Sequence, residues 1–257
     1  MTTKRWAIVS DIHGNLPALE AVLADAHGVD GWLNLGDIVS GPLWPRETAA
    51  LLMSLDWPTI AGNHERQLLT QARGRMGASD AFAADTLAPV QKRWLAALPA
   101  TLDPAPGLHC THGSPGDDLQ YLLQTVTAEG LRDATDAELD ARLGSCRPTL
   151  LLCGHTHLSG DRRVGRTRIA NPGSVGLQAY DDAHPFAHVV ENGSPAARYA
   201  VVESGAAGFQ VALRQVAYDH ETAARRAEAN GRGDWADALR NGRVGRTEAD
   251  ILRAAGR

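Results

Sequence analysis

The sequence has no long apolar segment and little that marks a secreted, membrane or nucleic-acid-binding protein. None of the apolar runs among its 257 residues approaches the roughly 18 positions that a membrane-spanning helix needs. The first six residues have a basic start with no apolar stretch behind it, so we expect no secretory signal. The net charge of −5 excludes a strongly basic nucleic-acid binder. We therefore expect a cytoplasmic protein with no nucleic-acid or membrane partner.

Cysteine is also scarce. The sequence has three, Cys110, Cys146 and Cys153, and no C-x-x-C pair. An odd count without such a pair fits a reducing compartment and excludes a disulfide framework. Two of the three lie two residues before a histidine, which leaves a Cys/His zinc site as an alternative. We favour the simpler interpretation that both are small apolar strand residues, because buried free cysteine usually behaves in that way.

Hydrophobic residues make up 44% of the chain and charged residues 21%, which is typical of a globular protein with a substantial core. Three times in the first 73 residues a short apolar run is followed by a polar cluster and then by a helical pattern. The predicted strands are 6–9, 32–35 and 59–61, and the predicted helices are 16–26, 45–55 and 66–73. This alternation predicts an α/β fold whose first sheet is largely parallel.

The later sequence is richer in turns. Its patterns predict helix from 79 to 98, broken near Pro89, and short strands at 108–111, 150–153, 162–164, 167–170, 200–203 and 209–213. Strands joined by turns favour a mixed or antiparallel second sheet. Residues 178–197 are polar and contain Gly and Pro, so we expect a mobile loop there. From residue 219 we expect helices interrupted at Gly231 and Gly242 that pack against a sheet, with a lid or a dimer contact as the alternative.

Five polar clusters follow predicted strands. They are Asp11-x-His13, Gly36-Asp37, Gly62-Asn63-His64-Glu65, His112-Gly113 and Gly154-His155-x-His157. Ligands of open α/β sheets bind at the carboxyl ends of strands, so these clusters are expected to converge on one site. Together they supply carboxylates, an amide oxygen and imidazoles, a set of hard oxygen and borderline nitrogen ligands.

This set suffices for two divalent ions that share the carboxylate of Asp37. The other ligands would be Asp11, His13 and His157 for one ion and Asn63, His112 and His155 for the other. Bridged ions lie roughly 3.5–4 Å apart and lower the pKa of a bound water to about 7, which supplies a hydroxide nucleophile. The positive centre would attract a phosphate ester. We favour Mn²⁺, while iron, zinc, nickel and cobalt also suit these ligands.

The clusters, in this order, resemble the pattern D-x-H, G-D, G-N-H-D/E, H, G-H-x-H of the calcineurin-like metallophosphoesterase superfamily. The flanking stretches 10–20 and 171–175 are similar to its small bacterial and archaeal branch, which contains phosphodiesterases and phosphatases. The resemblance implies a four-layer α/β sandwich, two β-sheets between helices. We treat 1–257 as one domain, with the catalytic core over 1–215 and a helical extension over 216–257. The resemblance also implies that His64 is the general acid that protonates the leaving group.

One departure concerns the segment after the bridging aspartate. The protein serine/threonine phosphatases of the superfamily carry G-D-x-V-D-R-G, whereas residues 36–42 read G-D-I-V-S-G-P. The aspartate and the arginine of that pattern are missing. We therefore expect His64 to lack an acid partner and the phosphate to lack an arginine, and we do not expect a protein phosphatase.

Two further polar residues are candidates for contacting the substrate. Asn15 stands at the start of a predicted helix and is expected to be its N-cap, with a phosphate contact as the alternative. Arg66 could steer an anion. The histidines outside the pattern are expected to be surface or locally hydrogen-bonded residues; they are His27, His109, His184, His188 and His220.

The leading hypothesis is a dinuclear-metal phosphodiesterase that uses a metal-bridging hydroxide, with His64 as general acid. A phosphomonoesterase acting on the same site, with a nucleotide as one substrate, is the alternative among enzymes. A non-catalytic scaffold is the alternative from another class, as in the retromer subunit of the superfamily, which has lost catalytic positions. The presence of His64 and all seven ligand positions disfavours the scaffold. The sequence leaves a homo-oligomer open.

Overall fold

A computed structural model describes residues 3–206 and 208–254 of the chain. The strands are β1 (Lys4–Val9), β2 (Gly31–Asn34), β3 (Thr101–Ala105), β4 (Leu108–Thr111), β5 (Gln124–Thr127), β6 (Gly130–Asp133), β7 (Leu150–Leu152), β8 (Gly160–Val164), β9 (Thr167–Asn171), β10 (Ala179–Asp182), β11 (His188–Glu191), β12 (Ala197–Gly205) and β13 (Gly208–Val216). The helices are α1 (Leu16–Asp25), α2 (Pro45–Leu55), α3 (Asn63–Thr70), α4 (Ala78–Thr86), α5 (Pro89–Ala96), α6 (Asp136–Leu143), α7 (His220–Ala229), α8 (Gly233–Asn241) and α9 (Glu248–Ala254). A 3-10 turn covers Arg73–Arg75.

The first sheet has the strand order β13-β12-β1-β2. Only β1 and β2 are parallel, while β12 is antiparallel to both β1 and β13. The prediction of a largely parallel first sheet was therefore wrong. The third apolar run contributes only a bridge between Asn34 and Thr59, and the β12–β13 hairpin takes the other side of β1.

The second sheet has the order β3-β4-β7-β9-β8 and is mixed, as predicted. Its three inner strands are parallel and both edge strands are antiparallel to their neighbours. Because β4 and β7 run in the same direction, the loops that follow them leave the sheet at one edge. Those loops carry the predicted ligands His112, His155 and His157.

Apolar side chains between the two sheets form a core that holds the layers together. Ile8 and Leu33 of the first sheet belong to one buried cluster with Leu150 and Leu152 of the second. On the outer faces, α1 and α2 cover the first sheet and α6 covers the second. The fold is the expected α/β arrangement of two sheets flanked by helices.

Cys110 and Cys153 belong to these cores, since each side chain is 1% exposed. Burial raises the pKa of the Cys110 thiol to about 12 and that of Cys153 still further, which opposes formation of a thiolate ligand. Both cysteines are thus apolar strand residues.

The segment 178–197 is not a loop throughout, and that prediction was wrong. It contains β10 and β11, which pair as an antiparallel hairpin. Ala179 of β10 and Val190 of β11 are buried, and Asn192 Nδ2 donates to the carbonyl oxygens of His157 and Gln178. The outer face of the hairpin is exposed and polar, so the sequence pattern did not indicate strands there.

The C-terminal helices α7, α8 and α9 are interrupted around Gly231 and Gly242, as predicted. The apolar faces of α7 and α8 pack on the loop residue Leu43, on Leu177 and on Ala179 of β10, forming a separate cluster around Trp235. Within the described residues, every helix is too short or too polar to cross a membrane.

Candidate metal centre

The loops that follow β1, β2, β4 and β7 meet at one edge of the sandwich, together with the start of α3. Six predicted ligands form two clusters, and within each cluster the potential ligand atoms lie within 4.8 Å of one another. One cluster is Asp11, His13 and His157, and the other is Asp37, His112 and His155. The clusters adjoin, because Nε2 of His112 lies 3.1 Å from Oδ2 of Asp37 and 4.0 Å from Oδ1 of Asp11.

Backbone carbonyl oxygens fix the orientation of all four histidines. In each ring one nitrogen is bound to a carbonyl, so the other nitrogen is directed to the centre. The pairs are His13 Nδ1 with Ser40 O at 2.7 Å, His112 Nδ1 with Leu35 O at 2.8 Å, His157 Nδ1 with Leu177 O at 2.8 Å and His155 Nε2 with Leu119 O at 3.1 Å. Each N–H donated to a carbonyl leaves the other ring nitrogen to bind a cation, in exchange for any proton it carries.

The first cluster brings lone pairs together. Nε2 of His13 lies 3.0 Å from Nε2 of His157, which is in turn 3.4 Å from Oδ1 of Asp11. Asp11 is fully buried, and its Oδ1 has no hydrogen-bond partner in the described part of the protein. A buried carboxylate oxygen without a partner is costly, and a cation would satisfy it.

Asn63 completes the second cluster. Its side-chain Oδ1 lies 3.0 Å from Nε2 of His112. The same atom position is 3.0 Å from Nδ1 of His155 and 3.3 Å from Oδ2 of Asp37. An amide oxygen surrounded by other electron-pair donors is the arrangement expected around a cation. All seven predicted ligands therefore converge.

The backbone at the site is strained. Six non-glycine residues of the described chain have φ in the left-handed region, and five of them are predicted ligands. These five are Asp11 (54°), His13 (52°), Asp37 (54°), His155 (69°) and His157 (57°). Such conformations cost about 1–3 kcal/mol each and occur where function requires them. Gly62 packs directly on Asp37, with no space for a Cβ atom, so a glycine is required there.

Glu65, the last residue of the G-N-H-E cluster, holds the loop that carries Asp37. Its fully buried carboxylate accepts hydrogen bonds from the backbone N–H groups of Asp37, Ile38 and Gly62, at 2.8 to 2.9 Å. Three such bonds fix the position of the Asp37 side chain relative to α3. Asp37 itself accepts from the backbone N–H of His64 at 3.0 Å.

His64 has an acid partner, contrary to the prediction. Its Nδ1 lies 2.8 Å from Oδ1 of Asp80, which is on α4. Ser40 stands where the aspartate of the G-D-x-V-D-R-G pattern would be, and its hydroxyl donates to the same Asp80 oxygen at 2.6 Å. The carboxylate is thus supplied by a helix about 40 residues further along the chain.

The missing arginine is not replaced by another cation at that position. Gly41 occupies it, and the indole of Trp235 on α8 packs so close that a Cβ atom on Gly41 would contact it. Trp235 also lies edge-on to the ring of His13, with 5.9 Å between centroids. The C-terminal helices therefore form one wall of the site.

The charges at the centre separate the histidines into two groups. Burial, assisted by neighbouring histidines, lowers the pKa of His13 to about 3 and that of His155 to about 4. Burial also disfavours the charged forms of His112 and His64, but nearby carboxylates outweigh it. Asp37 is the main cause for both, and the pKa of His112 rises to about 10 and that of His64 to about 9.

A cleft of about 820 Å³ opens beside the centre. His64 and His157 lie on its floor, and Tyr121, Tyr180 and Trp235 line its walls. The hydroxyl groups of Tyr121 and Tyr180 are 2.7 Å apart. The cleft can hold a substrate much larger than a phosphate group.

Neither residue predicted to contact substrate lines this cleft. Asn15 is fully buried and is the N-cap of α1, as also predicted: its Oδ1 accepts from the N–H of Ala18, and its Nδ2 donates to Gly176 O and Tyr218 Oη. Arg66 forms a two-bond ion pair with Asp118, at 2.6 and 2.7 Å, beside a separate cavity. The partners of Asn15 therefore lie in the core, and Arg66 is engaged by a carboxylate; a substrate contact by either residue stays a prediction.

The sequence interpretation missed Asp80, Ser40 and the role of Glu65. Asp80 lies in an alanine-rich helix with no motif around it, so only its three-dimensional neighbours reveal it. Glu65 was visible as part of the G-N-H-E cluster, and a buried acid at the start of a helix is a recognisable capping signal.

Comparisons with known proteins agree with this fold. A metallophosphoesterase from Sphaerobacter thermophilus has a similar structure, with a TM-score of 0.74, 24% identity and coverage of 94% of this chain and 100% of that chain. A hypothetical protein from Pyrococcus horikoshii OT3 has a TM-score of 0.73 at 18% identity, covering 94% and 99%. An uncharacterized protein from Methanocaldococcus jannaschii is 42% identical over 71 residues, which span 27% of this chain and 29% of that protein.

The sequence profile of the calcineurin-like phosphoesterase superfamily domain matches residues 5–192, which include all five polar clusters. Since this match covers well over half of the sequence, the chain belongs to the calcineurin-like phosphoesterase superfamily.

Proposed function

We propose that this protein is a dinuclear-metal phosphodiesterase. The observation that carries the proposal is the convergence of seven buried or half-buried side chains whose free nitrogen and oxygen atoms face one another. Each of the four imidazoles is fixed by its own backbone carbonyl, so the ligand set is preorganised.

The residues fit two divalent ions. One ion would be held by Asp11, His13 and His157 and the other by Asn63, His112 and His155, with Asp37 shared. Oxygen and nitrogen ligands without a thiolate suit Mn²⁺, and also iron, zinc, nickel and cobalt. When bound, such ions would neutralise the phosphoryl oxygens and lower the pKa of the attacking water.

His64 is proposed to protonate the leaving group. It donates its Nδ1 proton to Asp80, which leaves Nε2 to carry the proton that is transferred. In the metal-free protein burial lowers the pKa of His64, but Asp37 and Asp80 outweigh burial and raise it to about 9. Asp80 is not a candidate ligand, so it would still favour the protonated imidazole when Asp37 binds cations. Once it has given up this proton, the Asp80 carboxylate still holds the ring in position.

The size of the cleft supports a diester. A phosphodiester carries two alcohol groups, and the one that does not leave needs space beside the ions. The cleft of about 820 Å³ provides this space next to His64 and His157.

The test compares turnover of bis(p-nitrophenyl) phosphate and p-nitrophenyl phosphate with added Mn²⁺ and with a chelator. We expect metal-dependent hydrolysis with preference for the diester. The His64→Ala variant should lose about 10²-fold or more of its turnover of a phenyl diester, whose leaving group needs a proton. It should lose only a few-fold of its turnover of bis(p-nitrophenyl) phosphate, and it should still bind Mn²⁺. His109→Ala is the matched control, because that histidine is paired with Asp103 outside the centre.

A clear preference for the monoester would replace the diesterase with a phosphomonoesterase. If His64→Ala binds metal and retains full activity, another group is the acid. If neither ester is hydrolysed with any of the five metals, the scaffold alternative is favoured.

A further inference from the structure

Three arginines line the cleft in the described residues, and carboxylates neutralise two of them. Nη2 of Arg232 lies 2.6 Å from Oδ2 of Asp234 and 3.2 Å from a carboxylate oxygen of Glu248. Nη2 of Arg246 lies 2.8 Å from Oδ1 of Asp237. These ion pairs leave little charge for a ligand.

Arg142 is the third arginine, and it has no carboxylate partner in the described part of the chain. Its Nη1 donates to the carbonyl oxygens of Leu122 and Gln124 at 2.9 and 2.8 Å, and its Nη2 donates to Oγ1 of Thr125 at 2.6 Å. A guanidinium has five N–H donors, so two remain after these bonds. The side chain is therefore held in place by neutral groups while its positive charge is uncompensated.

Gln124 lies beside Arg142 in the same wall and has an unfilled side-chain hydrogen bond. It is 6% exposed, and its Oε1 has no partner among the described residues. Buried amides are normally satisfied, and those that are not call for a missing partner. An amide oxygen accepts hydrogen bonds, so the missing partner is a donor. A cation next to this unpartnered acceptor suits a ligand that carries both negative charge and a hydroxyl donor, as a phosphate group with one proton does.

We infer that Arg142 and Gln124 form a second phosphate subsite in the cleft. The inference rests on the proposed phosphoesterase function and specifies its substrate class. The substrate carries two phosphate groups, one hydrolysed at the metal centre and one bound by Arg142. Arg142 thus determines specificity and takes no part in the chemistry.

A pair of chromogenic diesters tests the inference, because they differ only by the second phosphate. They are thymidine 5′-(p-nitrophenyl phosphate) and the same compound with a 3′-phosphate. We expect the wild type to have a KM about tenfold lower for the 3′-phosphorylated ester, a difference of the size made by one good charged contact. Arg142→Gln should remove this advantage, so that the two esters have similar KM values.

Two further variants support the interpretation. Arg147→Gln is the matched control, since Arg147 is paired with Asp140 and does not line the cleft. It removes the same charge and should change neither KM. Gln124→Leu keeps the Arg142 charge and should reduce the difference in KM between the two esters. If Arg142→Gln does not fold, this second variant tests the subsite.

A binding experiment without metal separates this inference from the proposed function. Thymidine 3′,5′-bisphosphate and thymidine 5′-monophosphate are titrated into the chelator-treated protein by calorimetry. Tighter binding of the bisphosphate that is lost in Arg142→Gln supports the subsite, even if no ester is hydrolysed. If esters are hydrolysed but both KM values and bisphosphate binding are unaffected in Arg142→Gln and Gln124→Leu, the subsite is refuted and the phosphoesterase stands.

Discussion

The side chain of Asp80 forms a hydrogen bond with the ring of His64. Asp80→Asn keeps the shape of the residue but removes the charge that favours a protonated imidazole. We expect kcat to fall by about 10²-fold for a phenyl diester, because unsubstituted phenol leaves poorly unless it is protonated. The fall should be only a few-fold for the p-nitrophenyl diester, whose leaving group is stable as an anion.

Asp85→Asn is the control for this prediction, because Asp85 is on the same helix and is exposed and paired with Arg73. The measurement is kcat for the two esters with each variant. An equal loss on both esters in Asp80→Asn would show that Asp80 supports the structure of the site and not proton transfer.

The lowered pKa values of His13 and His155 predict how the metal-free protein responds to acid. Their folded-state pKa values, about 3 and 4, lie below the ordinary value of 6.5. Each therefore contributes stability above pH 6.5 that is lost as the pH falls, by up to about 1.4 kcal/mol per pH unit. In chelator, the unfolding free energy of His13→Asn should fall less between pH 6.5 and pH 5 than that of the wild type.

Urea denaturation at several pH values measures this difference. Parallel pH profiles for the wild type and His13→Asn would mean that the ring titrates near its ordinary pKa. His27→Asn, a change at a histidine on the loop after α1, should leave the profile as it is in the wild type.

Residues that form local motifs could be predicted from the sequence, and those that meet only through the fold could not. Asp11, Asn63 and His157 follow apolar runs in short recognisable clusters, so their convergence was predictable from strand ends alone. Asp80 has no such signal, because α4 brings it to His64 only after α3 and α4 have packed. The partners of Asn15 and Arg66, in the core and on Asp118, could not be predicted, because they are distant in sequence.

At the scale of secondary-structure elements, the same distinction holds. The helices α1 and α2 were predicted almost to the residue from their apolar spacing. The hairpin β10–β11 was missed because it is short and polar on its exposed face. The pairing of β12 with β1 was also missed, since about 190 residues separate the two strands and nothing local indicates that they are neighbours.

Helix α8 contributes a wall of the cleft as well as a part of the core. Trp235→Ala should destabilise the protein by about 3 kcal/mol, because it removes a 93% buried indole from its cluster. It should also raise KM for diesters, since the indole packs on Gly41 and beside His13. Chemical denaturation and steady-state kinetics measure the two effects.

Trp94→Ala on α5 separates the two effects. Trp94 packs against the cluster formed with α1 and α2 and does not line the cleft. It should destabilise the protein without a change in KM. A KM equal to that of the wild type in a folded Trp235→Ala protein would contradict a role of α8 in substrate binding.

For the whole molecule, metal binding and stability are linked. An ion that binds only the folded state stabilises it by about 2.7 kcal/mol at a concentration of 100 times Kd. We therefore expect the Tm to rise with Mn²⁺ and to return to its starting value with chelator. Asp37→Asn should lose most of this rise, because Asp37 is the ligand that we propose both ions share.

Asp85→Asn serves again as the matched control and should keep the full Tm rise. Differential scanning fluorimetry with each of the five candidate metals gives the comparison. A Tm that does not respond to any of them at millimolar concentration would contradict the proposed metal centre.

The carboxylate beside His64 belongs to α4, a helix that provides no candidate ligand for an ion. The carboxylate that would support protonation of the leaving group and the side chains that would bind cations are therefore on separate stretches of polypeptide. Substitutions in α4 can therefore weaken or abolish the support for proton transfer without affecting cation binding. A descendant that lost only Asp80 would still bind ions and esters. It would cleave esters of poorly leaving alcohols slowly, and so it would be selective for activated esters.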